Sequence, residues 1–343
     1  MYHFHYSIKD SSIYEYALNK NTGSDEILEL DRTAEGKESR IVAQFKIENL
    51  INTVEGASGL PYTCSVQYNT TQVSNLPIEY SIFVSALSKP FKRGVGRKFN
   101  NTTQGVNWID TGTGLQWNMP GGDFYTATES EEKYRFERSD IDIEINDIFD
   151  DWIRGVKNNG IIIRMKPKYP NAASNKSQID LKYFGSLTHT IYRPRIVLKF
   201  DDSASITSGG IPMSVQDNPQ TQFTGGLESK YTPSGITTFS FSVNPRYQKQ
   251  DFVEEPMEKS SVFLKNGSIR YSIRDKVTGK TVIPFSKEST CSFDPDNGYS
   301  FDLDLNGWMP NRYYEILLEF QNDITRQRQD LTPYTNTFKI HKK

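Results

Sequence analysis

Apolar and polar positions alternate with a period of two in short runs spread along the chain. Asp140-Ile141-Asp142-Ile143-Glu144-Ile145-Asn146 does so without a break, isoleucines on one face and acids or amide on the other. Thr237 to Val243 places Phe239, Phe241 and Val243 on one side, and Tyr299 to Leu305 repeats the pattern. Such alternation marks strands with one buried and one wet face. Further strand-like runs are Tyr2 to Ile8, Ile27 to Leu30, Arg40 to Phe45, the longer Glu79 to Leu87, Arg195 to Phe200, Ile269 to Ile273, Thr281 to Ile283, Tyr314 to Phe320 and Thr337 to Ile340. Ile161 to Met165 is nearly continuous in apolar residues and reads as a buried strand, entered through Asn158-Asn159-Gly160. Only Ile148 to Ile153 suggests a helix, of one or two turns, with Asn146 or Asp147 as its cap.

A length of 343 residues fits two or three domains. Between Ser203 and Gly235 the composition shifts to Ser, Thr, Gly, Gln and Pro and periodicity fades, which is the chemistry of a linker or extended loop. The expected architecture is therefore all-β with two β-sandwich domains. Residues 1–202 form the first, 203–235 the connection, and 236–343 the second. Roughly seven short strands in the last stretch, with turn signals between them, predict an immunoglobulin-like sandwich, although no Cys…Trp…Cys spacing fixes the topology.

Composition narrows the function. Counting glycine in place of tyrosine, apolar residues make up about 37% of the chain, below the usual ~45–50%. Thin layers with one wet face fit that share. Forty basic and 42 acidic residues give a net charge of −2, so nothing biases the whole chain toward nucleic acid or an anionic membrane. No apolar stretch approaches the roughly 20 residues of a membrane helix. Two cysteines, Cys64 and Cys291, and four histidines leave little material for a disulfide framework, a zinc cage or acid–base chemistry. No G-x-S-x-G motif appears, and neither cysteine has a histidine near it in sequence. The composition thus favours binding or structural work over catalysis, with no catalytic, cofactor or metal residues to assign.

Several local patterns invite chemistry. Asp140, Asp142 and Glu144 resemble a carboxylate face, but an alternating strand needs polar residues on its wet side. Asp294-Pro295-Asp296-Asn297-Gly298 fails the calcium-loop spacing and fits a turn. His3 and His5 share a strand face without a nameable third ligand. The least bland patch is Lys89, Lys92, Arg93, Arg97 and Lys98, five positive charges in ten residues, suited to an acidic glycan, DNA or a neighbouring subunit. Its glycines lack phosphate-loop spacing. Trp108 and Trp117 are candidates for stacking on sugar rings or, alternatively, for the sandwich core. Trp152 and Trp308 read as core.

Four blocks of the first domain carry a family resemblance. They are Ser12 to Glu15 with Asn21 to Leu30, Ser39 to Phe45, Val106 to Asp110 with Leu115 to Asn118, and Ile141 to Met165 with Tyr192 to Leu198. Their order and spacing resemble the DNRLRE-type jelly-roll domains, which are related to carbohydrate-binding modules of bacterial surface proteins. Members on cell walls are exported, whereas here Met1 leads directly into a strand without a secretory signal. The expectation is a cytoplasmic protein, one released without the secretion machinery, or a trimmed sequence. Tailed-phage particles reconcile the two features, because their proteins fold in the host cytoplasm and meet the exterior after lysis. The resemblance therefore implies a non-enzymatic virion structural protein of the neck, tail or baseplate. Its expected partners are other virion proteins in multiple symmetric copies, with no membrane and no specific nucleic acid. The alternative is a glycan-binding module or adhesin contacting cell-surface polysaccharide. A polysaccharide lyase or hydrolase is the third and weakest expectation.

Overall fold

The computed structural model describes residues 1–57, 59–76, 79–97, 104–167, 178–204, 211–214, 219–245 and 261–341. Among the described residues the chain is all-β apart from two α-helices and a 3-10 turn at Lys287–Ser289, and it forms two compact units. One comprises Phe4–Ala57 and Thr63–Leu198, the other Met1–His3, Ser58–Tyr62 and Lys199–Lys343.

The first unit contains strands β1 (Tyr2–Tyr14, from Phe4 onward), β2 (Ile27–Arg32), β3 (Ser39–Phe45), β4 (Tyr62–Tyr68), β5 (Thr70–Ser74), β6 (Glu79–Ala86), β7 (Ser130–Arg135), β8 (Ile141–Glu144), β9 (Ile161–Pro167), β10 (Ile179–Phe184) and β11 (Arg195–Phe200). Eight of them run β7-β6-β9-β3-β1-β11-β4-β8 in a nearly closed, barrel-like sheet, and β2-β10-β5 form a second one. The division is eight and three, where a regular jelly roll has two sheets of equal size. Strict alternation seats the small sheet. Leu28 and Leu30 of β2 face inward opposite Tyr183 and Leu181 of β10, and all four are buried. Tyr183 meets Tyr68 of β4 edge-on at 6.2 Å, which ties the small sheet to the large one.

Central strands β3 and β9 lose the alternation because both their faces are covered. Ile41, Val42 and Ala43 are all buried, as are Ile161, Ile162 and Ile163. Part of that cover comes from the long connection between β6 and β7. Its Leu87, Phe91, Val106, Trp108 and Trp117 cluster with Ile13, Val42 and Ile162. Arg164, the charge within the β9 run, is accommodated by an ion pair to Glu129 and by the Phe124 ring 4.0 Å away.

Helix α1 (Glu48–Gly56) buries only Leu50 fully, so its helical period was too faint to read. Helix α2 (Asn146–Ile153) turns Ile148, Phe149 and Trp152 inward, as expected. Its expected cap is corrected: Ile145 occupies the cap position, and no side chain caps the helix. The Asn146 side chain is committed elsewhere, accepting the Cys64 N–H at 2.7 Å.

The second unit has β12 (Ile211–Met213), β13 (Pro219–Gly225), β14 (Lys230–Tyr231), β15 (Ile236–Pro245), β16 (Val262–Leu264), β17 (Gly267–Asp275), β18 (Thr281–Ile283), β19 (Ser292–Asp294), β20 (Gly298–Asp304), β21 (Arg312–Asn322), β22 (Arg328–Asp330) and β23 (Thr337–Ile340). The sheets are β13-β15-β20-β19, then β14-β23-β21-β17-β18 with β22 also on β21, and the parallel pair β12-β16. The two larger sheets make a β-sandwich. Aromatics fill it: Phe239 stacks on its cross-strand neighbour Phe301 at 5.3 Å, and Tyr271 of the facing sheet stacks on Phe301 at 4.1 Å. Trp308 is buried, and its indole N–H donates to the Asp304 carbonyl at 2.6 Å. The Asp304 carboxylate in turn meets His3 Nδ1 at 2.6 Å and accepts from the backbone and side-chain nitrogens of Asn306 at 2.9 and 2.7 Å.

The linker expectation for residues 203–235 is corrected within the described residues. Strands β12, β13 and β14 all lie there. In β13 the sequence Pro-Gln-Thr-Gln-Phe-Thr-Gly offers one large apolar residue, so a real strand carries no hydrophobic period. The compact-unit boundary falls at Leu198/Lys199.

Candidate functional site

The basic run lies on the β6–β7 connection, and its charges have different fates. Lys89 is tied inward: its ammonium reaches the Gln116 carbonyl at 3.0 Å, Asn118 Oδ1 at 2.7 Å and Asp123 at 2.9 Å. Burial opposes ionisation of Asp123, but the Asn118 N–H, the Lys89 ammonium and the Met119 N–H outweigh it and hold the carboxyl below its ordinary value. Lys89 therefore fastens a turn. Arg93 is half-buried, Lys92 and Arg97 are exposed, and Lys98 lies outside the described residues. The expected five-charge patch is thereby reduced to Lys92 and Arg97 as outward cations, with Arg93 beside them.

The glycines of this run answer to an asparagine. Asn21 is completely buried. Its Nδ2 donates to the carbonyls of Arg93 at 2.7 Å and Val106 at 2.8 Å, while Oδ1 accepts the N–H of Gly96 at 2.8 Å and of Gly23 at 3.3 Å. All four hydrogen-bonding positions of the amide are used. A Cβ on Gly94 would come within 2.4 Å of Asn21 Oδ1, and one on Gly96 within 2.1 Å of the Asn21 carbonyl. Close approach of backbone to amide explains the Gly-x-Gly spacing.

Trp108 and Trp117 are each only 5% exposed. Trp117 donates its indole N–H to the Asn107 carbonyl at 3.0 Å, and the Arg40 guanidinium sits over the Trp108 ring at 4.8 Å. Neither ring offers a face to a sugar, which corrects the glycan-stacking expectation. Both belong to the packed core.

The other patterns fall out simply. Asp140, Asp142 and Glu144 stand on the exposed face of β8 and its approach, and Asp140 accepts the Thr70 N–H at 2.7 Å. Asp294 Oδ1 accepts the N–H groups of Asp296 and Asn297 at 2.8 and 2.9 Å, closing a turn. Among the described residues no group of three His, Cys, Asp or Glu side chains is placed to hold a metal ion.

One ionisable group escaped the sequence. The outward face of the β2-β10 pair sets Asp31 opposite Asp180 and Glu29 opposite Lys182. Tyr14 donates to Glu29 at 3.0 Å and Tyr16 to Asp31 at 2.7 Å. Burial pushes both carboxyls above their ordinary values, although the tyrosine hydroxyls act the other way. The Asp31 Oδ1 atom is buried without a hydrogen-bond partner. Lys182 lies 3.8 Å from Glu29 and 3.7 Å from Asp180, contacts that stay weak at this exposure. The available signals were acids at alternate positions of Ile27 to Asp31 and the Tyr14/Tyr16 spacing. Pairing with β10, far along the chain, could not be read.

No family model matches the chain, and no curated protein matches it.

Proposed function

We propose that the protein is a non-catalytic structural module of a tailed-phage particle, serving the neck, tail or baseplate through contacts with neighbouring virion proteins. The observation that carries this reading is the composition of one apolar cluster. Ile13, Val42, Val106 with Trp108 and Trp117, and Ile162 come from the four separate sequence blocks that resemble DNRLRE-type domains. Residues that share a pattern along the chain thus share a core in space, which supports the resemblance as one of fold. The functional side rests on the rest of the surface. Strands β7 and β8 carry exposed charged side chains such as Glu131, Lys133, Asp142 and Glu144, suited to polar-rimmed contacts repeated around a symmetry axis. Weak contacts of that kind become collectively strong in a ring of copies.

Mass spectrometry of gradient-purified particles of the virus that encodes the chain tests the proposal, with antibody labelling viewed by electron microscopy. The chain should copurify in a fixed ratio to the major structural proteins and label at one position. Particles that lack it refute the reading.

A further inference from the structure

Strand β13 is the outer strand of its sheet and pairs only with β15 there. At Gly226 the chain turns with φ +75°, and a Cβ at that position would lie 2.0 Å from the Thr238 carbonyl. It then enters β14, which pairs in parallel with β23 of the other sheet. Beside this crossover lies a groove of about 600 Å³, bordered on one side by β13 and on the other by residues 333–335. The volume falls within the ~300–1,000 Å³ typical of small-ligand sites.

The lining has a distinct chemistry. Gln220, Gln222 and Asn244 supply carboxamides, three threonines hydroxyls, and Glu228 one carboxylate, interspersed with the apolar Phe223, Leu227 and Pro333; no Lys or Arg is among the described lining residues. Gln220 and Asn244 are cross-strand partners, so two of the amides stand side by side. Both glutamines are exposed, and neither amide has a protein partner among the described residues. Opposite them the Tyr334 ring stands fully exposed, at 107% of its reference area.

We infer that this groove binds a neutral oligosaccharide. A carboxamide presents a donor and an acceptor together, which matches a sugar hydroxyl that both gives and takes a hydrogen bond. Glu228 adds an acceptor for further hydroxyls. An uncovered tyrosine offers an amphipathic platform for the C–H face of a pyranose ring. Anionic ligands find no cation here and meet a carboxylate, while apolar ligands would strip water from amides without replacing its hydrogen bonds. The inference is independent of the particle assignment and places the sugar in the second unit, whereas Trp108 and Trp117 belong to the first.

A glycan array of neutral and anionic structures, probed with the full chain and followed by calorimetry on the hits, tests it. Neutral oligosaccharides should bind with micromolar to millimolar Kd. Tyr334→Ala should weaken binding about tenfold or more, the loss of one stacking contact. Gln222→Ala should weaken it severalfold. Both side chains are exposed, so circular dichroism and melting should stay unchanged. Failure of every neutral glycan to bind, tighter binding of anionic ones, or affinity indifferent to both substitutions overturns the inference. So does an extended peptide that protects the amides of Gln220 to Gly225 from hydrogen exchange while no glycan binds.

Discussion

Replacing Asn21 by alanine removes a buried amide that holds three chain segments together. Three of its bonds are short: to the Arg93 carbonyl, the Val106 carbonyl and the Gly96 N–H, at 2.7–2.8 Å. At ~1–1.5 kcal/mol for each lost bond whose partner stays buried, the variant should lose ~3–5 kcal/mol. For a unit of this size each kcal/mol moves the midpoint by ~2–4 °C, so a fall of about 10 °C is expected. Tryptophan fluorescence reads the event selectively, since Trp108, Trp117 and Trp152 lie in the first unit and Trp308 in the second. The red shift should precede loss of the far-ultraviolet signal, because the loop loosens before the sheets separate. Asn21→Asp should be at least as damaging: the carboxylate keeps the acceptor role toward Gly96 but cannot donate, and its charge is buried. A melting change smaller than about 2 °C in both variants would refute the hub assignment.

The raised carboxyls of Glu29 and Asp31 favour the protonated form in the folded state. Their contribution to stability is therefore fully present below the ordinary carboxyl value near ~4 and is lost as pH rises through the folded values. Glu29→Gln with Asp31→Asn should raise the denaturation midpoint at pH 7.5, with the gain shrinking at pH 4.5; a gain that grows on acidification contradicts the sign. Cys64 and Cys291 are buried, and burial pushes both thiols up. Ellman's reagent at pH 8 should find neither in the native protein and both in denaturant, and prompt labelling without unfolding would count against their burial. Asp304→Ala leaves His3 and Asn306 without their buried acceptor and should cost the second unit ~2–4 kcal/mol in urea unfolding. An unchanged midpoint for that unit would show that the carboxylate is dispensable.

Strands with one wet face were legible from alternation alone, as at Ile141 to Ile145 and Thr237 to Val243. The acids of β8 and the Asp294 turn also behave as their local chemistry dictates. What failed to show in sequence has a common cause, which is that the deciding neighbour is distant along the chain. Asn21 stood out only as the start of one block of the family resemblance, yet its partners are Arg93, Gly96 and Val106. Lys89 read as part of a charged patch, yet Asp123 and the 116–118 turn consume it. Trp108 and Trp117 carried two opposed readings until a cluster drawn from four segments buried them. Strand β13 read as linker because Phe223 is its one large apolar residue, and only pairing with β15 makes it a strand.

By itself the amino-acid order determined the all-β class and most strand positions, because each depends on periodicity or spacing over a few residues. Tertiary structure alone decided which charges face solvent, which aromatics are available to a ligand, and where amides and an exposed tyrosine border a common groove. Those properties depend on desolvation and on contacts between strands brought together from far apart, and a short-range pattern does not encode them.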